Sequence, residues 1–107
     1  MLLANPNNPT GTVITEADLK QILQVAQQTG PIIDGKSTAT VVVIDEAYGE
    51  FRNPGQPSAL ALLEEFPHLA VARTMSKSFG MAGLRLGYLV AAKTIIYDIM
   101  RVRLPYH

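Results

Sequence analysis

The stretch TVVVIDEAY, residues 40–48, is the part of this sequence most indicative of its fold class. Its residues 41–44 are all β-branched, and Asp45 ends the run. An apolar run without polar alternation is typical of a strand that is buried on both faces, as strands of parallel sheets are. Such sheets place helices between their strands. The stretch therefore predicts a buried strand in an α/β sheet.

The segments on either side alternate between helical periodicity and apolar runs. Thr15 opens TEADLKQILQVAQQTG, which has early acidic residues, apolar residues at helical spacing and a stop at Gly30, so a capped amphipathic helix is expected. Strands are also predicted at 1–4, 69–74 and 84–92, a short helix at 58–66, a helix at 93–103, and surface loops at 30–39 and 52–58. This order predicts an α/β fold with a mostly parallel sheet, flanking helices and right-handed crossovers.

Composition excludes several classes of partner. The chain has 107 residues, 48% of them hydrophobic, which fits one small domain or a piece of a larger one. Nine basic residues balance nine acidic ones, so nucleic acid and anionic membrane are not expected as partners. Without cysteine, disulfides and thiolate metal sites are excluded. The N-terminal residues lack a basic secretory signal and no stretch is long enough to span a membrane, so a cytoplasmic protein is expected.

Polar side chains follow the predicted strands where each strand ends. They are Asn8 after the first strand, Asp45 and Tyr48 at the second, and Thr74, Ser76 and Lys77 at the third. Ligands of open α/β sheets bind outside the carboxyl ends of the strands, so these side chains should meet in one crevice. Taken singly, each has an ordinary structural explanation as a turn former, helix cap, loop hydroxyl or surface charge. Their combination favours a ligand site.

A glycine-rich loop, TMSKSFGMAGLRLGY at residues 74–88, belongs to this set. It joins Lys77 to Arg85 through Gly80 and Gly83, two positions at which no side chain obstructs the path of the loop. The two histidines, His68 and His107, have no sequence partners that suggest metal or triad chemistry. Both are predicted to be structural, and no metal site is expected.

Three motifs in this order and spacing carry a resemblance to a known family. NPNNPTG (5–11), DEAY (45–48) and SKSFGMAGLRLGY (76–88) resemble the fold-type-I aminotransferases, which use pyridoxal 5'-phosphate (PLP). The fuller forms VVVIDEAYGEF, RTMSKSFGMAGLRLGYLVA and RVRLPYH are most similar to the histidinol-phosphate aminotransferase subfamily. The resemblance covers almost the whole chain.

The resemblance implies a role for each candidate residue. It makes Lys77 the catalytic lysine that bonds to the PLP aldehyde, and it places Asp45 at the pyridine nitrogen. It assigns the phenolic oxygen of the cofactor to Asn8 and Tyr48. It assigns the cofactor phosphate to the hydroxyls and the guanidinium of Thr74, Ser76 and Arg85. A lysine amine becomes a nucleophile when it is desolvated or lies near another cation, which agrees with this assignment.

The resemblance also implies an activity and its partners. The expected reaction is transamination between an amino donor and a 2-oxo acid, with L-histidinol phosphate and 2-oxoglutarate as the substrates in histidine biosynthesis. Relatives are longer, so the chain is expected to be part of a large PLP-binding domain, with an N-terminal segment and a C-terminal small domain outside it. A homodimer is expected for the full-length enzyme. Three alternatives stay open: an aromatic aminotransferase, a threonine-phosphate decarboxylase, and a non-catalytic fragment that binds PLP weakly.

Overall fold

A computed structural model describes residues 1–104, so the predicted structural role of His107 lies outside the described residues. Within these residues, two α-helices and six strands occur. In chain order they are β1 (Leu2–Ala4), α1 (Glu16–Ala26), β2 (Ile32–Ile33), β3 (Lys36–Ser37), β4 (Val42–Asp45), β5 (Leu69–Thr74), β6 (Gly87–Ala91) and α2 (Lys93–Val102). No helix among residues 1–104 is long and apolar enough to cross a membrane.

The main sheet has four strands in the order β1-β4-β5-β6. Strands β1, β4 and β5 are parallel, whereas β6 runs antiparallel to β5. Asp45, at the end of β4, is in register with Ala4 on one side and Ala72 on the other. The predicted mostly parallel α/β sheet is therefore confirmed, and the polar residues after β1, β4 and β5 lie at one edge of it.

Helix α1 covers one face of the sheet. Thr15 caps it, since its Oγ1 accepts a hydrogen bond from the Asp18 N–H at 3.1 Å. Leu19 and Leu23 belong to the buried core together with Ile44 of β4 and other apolar residues of β4, β5 and the 59–66 segment. The N-terminus of α1 is therefore as predicted, and its apolar stripe is what attaches it to the sheet.

Gly30 is not the end of the helix, because α1 ends at Ala26. The Gly30 N–H instead donates to the Thr38 carbonyl at 2.8 Å. A Cβ at position 30 would lie only 2.3 Å from that carbonyl oxygen. Gly30 is therefore required where two backbone segments approach each other closely.

Two other local predictions differ from the structure. The expected loop at 30–39 contains the antiparallel hairpin β2–β3, whose turn residues Asp34 and Gly35 have φ values of 50° and 74°. An Asp-Gly pair suits the positive φ angles of a two-residue hairpin turn. The expected helix at 58–66 is only a 3-10 helix at Ala59–Leu62, because a segment this short forms too few intrahelical hydrogen bonds to offset the cost of starting an α-helix.

The second face of the sheet is only partly covered within residues 1–104. In β4, Val42 and Ile44 are fully buried, but the alternating Val43 is only half-buried. Tyr88 of β6 is 47% exposed, and α2 contains no buried residue. The predicted burial of β4 on both faces therefore holds for one face only, because α1 and the 59–66 segment cover a single side.

Candidate functional site

The carboxyl ends of β1 and β4 frame a cavity of about 210 Å³. Its lining residues include three predicted site residues, Asn8, Asp45 and Tyr48. Asp45 is fixed by the local turn, since its Oδ1 accepts from the Ala47 N–H at 2.9 Å. Asn8 Nδ2 donates to the Tyr48 hydroxyl oxygen at 3.2 Å. The loop after β1 and the turn after β4 thus bring an amide, a phenol and a carboxylate to one concave surface.

Lys77 lies beside this cavity, in the irregular loop after β5. Its Nζ is 5.4 Å from the centroid of the Tyr48 ring, within the range of a cation–π contact. The loop is closed by backbone hydrogen bonds from the Gly80 N–H to the Lys77 carbonyl (3.0 Å) and from the Met81 N–H to the Met75 carbonyl (3.1 Å). Gly80 has a φ of +63°, so a glycine is needed for the loop to turn here.

The three residues predicted to bind phosphate share the β5–β6 connection. Thr74 Oγ1 accepts from the Ser76 N–H at 3.1 Å and also contacts the Leu86 carbonyl at 3.4 Å. Arg85, the neighbour of Leu86, has a left-handed backbone with φ 51°, and its exposed guanidinium donates to the Ala82 carbonyl at 3.4 Å. Pairing of β5 with β6 therefore brings the two ends of the loop together, although Arg85 does not line the cavity that contains Asp45.

A buried ionic cluster lies beside the site and was not predicted from the sequence. Glu46 is completely buried, and its two carboxylate oxygens lie 2.8 Å from the guanidinium nitrogens of Arg52 and Arg73. It also accepts from the Ser58 hydroxyl and the Ala59 N–H, each at 2.8 Å. The sequence does contain one indication of this cluster, which is Arg73 in the largely apolar strand β5. A cation in such a strand needs a buried anion as its partner.

The donors at the carboxyl ends of β1, β4 and β5 match the chemistry of PLP, although Thr74, Ser76, Lys77 and Arg85 do not line the cavity. A carboxylate suits a protonated pyridine nitrogen, and an amide with a phenol suits the ring oxygen. Hydroxyls and a guanidinium suit a phosphate dianion, and a primary amine suits an aldehyde. Ligand pockets usually exceed roughly 300 Å³, so these residues would enclose such a group only in part.

The comparison with protein families matches residues 1–107 to the family described as "Aminotransferase class I and II". The chain belongs to the class I and II aminotransferases. Within this family it is 50% identical over 107 residues to the histidinol-phosphate aminotransferase of Bifidobacterium longum, and the match covers 100% of this chain and 28% of that protein. The chain thus spans less than a third of the length of this curated relative.

Solved aminotransferase structures have the same fold. The histidinol-phosphate aminotransferase from Clostridium acetobutylicum superposes with a TM-score of 0.79 at 30% identity, covering 98% of this chain and 29% of that one. The enzyme of that name from Sinorhizobium meliloti, solved in complex with pyridoxal-5'-phosphate, gives a TM-score of 0.70 at 29% identity, with coverages of 95% and 25%. The family and the fold class predicted from the three motifs are therefore confirmed.

Proposed function

We propose that these residues form part of the large PLP-binding domain of an enzyme that transfers an amino group between L-histidinol phosphate and 2-oxoglutarate. The observation that carries the proposal is the cavity shared by Asn8, Asp45 and Tyr48, with Lys77 Nζ 5.4 Å from the Tyr48 ring. The 50% identity to a histidinol-phosphate aminotransferase supports the choice of substrate. The 28% coverage of that relative supports the assignment to one part of a longer enzyme.

When bound, PLP supplies an aldehyde that bonds to amines and a ring that withdraws electrons from the neighbouring carbon. In the proposed site, Lys77 provides the amine, and its Nζ afterwards carries the proton that moves between carbon atoms. The face of the Tyr48 ring attracts the ammonium form and holds it beside the cavity. Lys77 thus combines the roles of anchor and proton carrier.

Asp45 and the Asn8–Tyr48 pair would bind two different atoms of the cofactor, the pyridine nitrogen and the phenolic oxygen. An ionised Asp45 carboxylate holds a proton on the pyridine nitrogen, which a neutral amide would not do. The Tyr48 hydroxyl oxygen already accepts the hydrogen bond of the Asn8 amide, so its own hydrogen is free to be donated into the cavity. The pair therefore offers an oriented donor for a ring oxygen.

Thr74, Ser76 and Arg85 would hold the phosphate. Thr74 is the last residue of β5 and Ser76 follows two residues later, and the Ser76 N–H donates to Thr74 Oγ1 at 3.1 Å. The guanidinium of Arg85 makes a hydrogen bond of 3.4 Å, which is long and weak, so it can be exchanged for a bond to an anion. An arginine that binds two phosphate oxygens at once would fix the orientation of the cofactor.

The remaining parts of the proposal concern the whole protein. We propose that it acts in the cytoplasm on a small amino donor and a 2-oxo acid and that it forms a homodimer. The partly covered second face of the sheet, with Tyr88 and all of α2 outside the core, is surface that further residues or a second copy would cover.

The test is a comparison of amino donors with the full-length protein that the gene encodes. With PLP and 2-oxoglutarate present, L-histidinol phosphate should give a higher kcat/KM than phenylalanine, and threonine O-3-phosphate should not be decarboxylated. Lys77→Ala should lower kcat by roughly a thousandfold or more, since it removes both the anchor and the proton carrier. Lys93→Ala, at the exposed start of α2, is the matched control and should keep full activity. Preference for phenylalanine or decarboxylation would contradict the proposed substrate, and an active Lys77→Ala variant would contradict the site.

A further inference from the structure

The carboxylate of Glu50 contacts the loop that contains Lys77. Glu50 lies in the 3-10 helix Gly49–Phe51, two residues after Tyr48. Its Oε2 accepts a hydrogen bond from the Ser78 hydroxyl at 3.2 Å, and Ser78 is the residue next to Lys77. Its Oε1 lies 2.8 Å from Nη1 of Arg73. Glu50 therefore joins the Lys77 loop to strand β5.

Arg73 fixes the orientation of the Glu50 side chain. The Arg73 side chain is 13% exposed, and its second guanidinium nitrogen binds the buried carboxylate of Glu46 at 2.8 Å and the Ser58 hydroxyl at 3.0 Å. A guanidinium held by a fully buried carboxylate and a hydroxyl has little freedom to move. The orientation of Glu50 is therefore set by the sheet rather than by the surface loop on which it lies.

The short segment from Tyr48 to Glu50 contacts the Lys77 loop at two adjacent residues. Tyr48 contacts Lys77 through its ring, and Glu50 contacts Ser78 through its carboxylate. Both contacts lie on the side of the loop that faces the cavity-forming turn after β4. We propose that Glu50, acting through Ser78, is a positioning residue that keeps Nζ of Lys77 beside the cavity.

The effect of Glu50 on Lys77 is geometric rather than electrostatic. Glu46 and Glu50 carry two negative charges, and Arg52 and Arg73 carry two positive ones, so the cluster as a whole is neutral. Its net charge of zero gives no long-range attraction for the Lys77 ammonium. A glutamine at position 50 has a single oxygen, so it can accept from Ser78 but cannot keep the ion pair with Arg73, and it should replace the carboxylate only in part.

This inference rests on the proposed function, in which Lys77 bonds to PLP, and it can be tested without turnover. The full-length protein is mixed with PLP, quenched with borohydride after increasing times, digested, and analysed by mass spectrometry for the adduct on Lys77. Ser78→Ala and Glu50→Ala should each slow capture by about three- to tenfold, the range expected for one partly exposed hydrogen bond. Glu50→Gln should slow capture by less than Glu50→Ala, because it keeps one acceptor for Ser78 but loses the ion pair with Arg73.

The double variant separates positioning from a general structural effect. If Ser78 and Glu50 act through one contact, the double Ala variant should capture PLP no more slowly than the slower single variant. Glu64→Ala, at an exposed position away from the loop, is the control and should capture at the unchanged rate. The Michaelis constant for the amino donor should stay the same in all variants.

Three outcomes would overturn the inference. Unchanged capture in Ser78→Ala would show that the contact does not position Lys77, and this variant decides the matter even if Glu50→Ala fails to fold. Additive losses in the double variant would show that the two residues act independently. If the unchanged protein forms its adduct on another lysine, the inference and the proposed site fall together, whereas normal capture on Lys77 in every variant removes the inference alone.

Discussion

Replacing Glu46 with glutamine should destabilise the strand ends that carry the site by about 3 kcal/mol. The carboxylate has no exposed surface and lies 2.8 Å from both Arg52 and Arg73, whose side chains are only 10% and 13% exposed. Glutamine keeps the shape of the side chain but leaves two buried cations without their shared anion. The expected value is at the low end of the range for a broken buried ion pair, because Arg73 keeps its contact with Glu50.

Hydrogen exchange of the full-length protein measures this loss locally. The N–H of residue 46 donates to the Ala72 carbonyl at 2.9 Å, so it reports opening between β4 and β5. A loss of about 3 kcal/mol corresponds to exchange that is faster by roughly a hundredfold. Glu64→Gln is the control, since Glu64 is exposed, and should change the exchange rate by less than about threefold. A Glu46→Gln variant that exchanges as slowly as this control would show that the ionic cluster does not hold the two strands together.

Three further substitutions test the fold and the site. Gly30→Ala adds a Cβ that would lie 2.3 Å from the Thr38 carbonyl oxygen, so it should prevent the close approach of the two segments and lower the melting temperature. Gly83→Ala is the control, because its added Cβ would have nothing within 4 Å, and it should leave the melting temperature unchanged. Asp45→Asn keeps an acceptor for the Ala47 N–H, so PLP binding should persist while kcat falls roughly a hundredfold or more. Unchanged turnover would show that Asp45 only shapes the turn. Leu23→Ala should cost about 2–5 kcal/mol in urea unfolding, because Leu23 is fully buried.

The elements that the sequence predicts well have local causes. Helix α1 is set by the Thr15 cap and its apolar stripe, β4 by an uninterrupted apolar run, and β5 by the apolar residues that precede Arg73. The hairpin at Ile32–Ser37 was missed because its strands have two residues each, too few to show an alternating pattern. The 59–66 segment fell short of an α-helix because a short helix depends on tertiary contacts for its stability, and no local sequence pattern specifies those contacts.

Some features of the candidate site follow from the sequence, and others do not. The sheet topology alone predicts that residues after β1 and β4 share one edge, and the cavity lined by Asn8, Asp45 and Tyr48 agrees with this. The Glu46 cluster could not be predicted, because Arg52 comes from an irregular segment whose path no local pattern specifies. The antiparallel direction of β6 was also hidden, since the loop before it, and not the strand, determines how the chain returns.

The central claim, that Lys77 is the amine of a PLP site, is tested most directly by locating the bound cofactor. Full-length protein is incubated with PLP at low molar excess, reduced with borohydride, digested, and analysed by mass spectrometry. The described residues contain four lysines, Lys20, Lys36, Lys77 and Lys93, and each can be distinguished by its peptide. We expect one adduct per chain, on Lys77, because among residues 1–104 Lys77 is the lysine in contact with Tyr48 of the Asn8–Tyr48 pair. An adduct distributed over several lysines, or concentrated on one other than Lys77, would contradict this assignment.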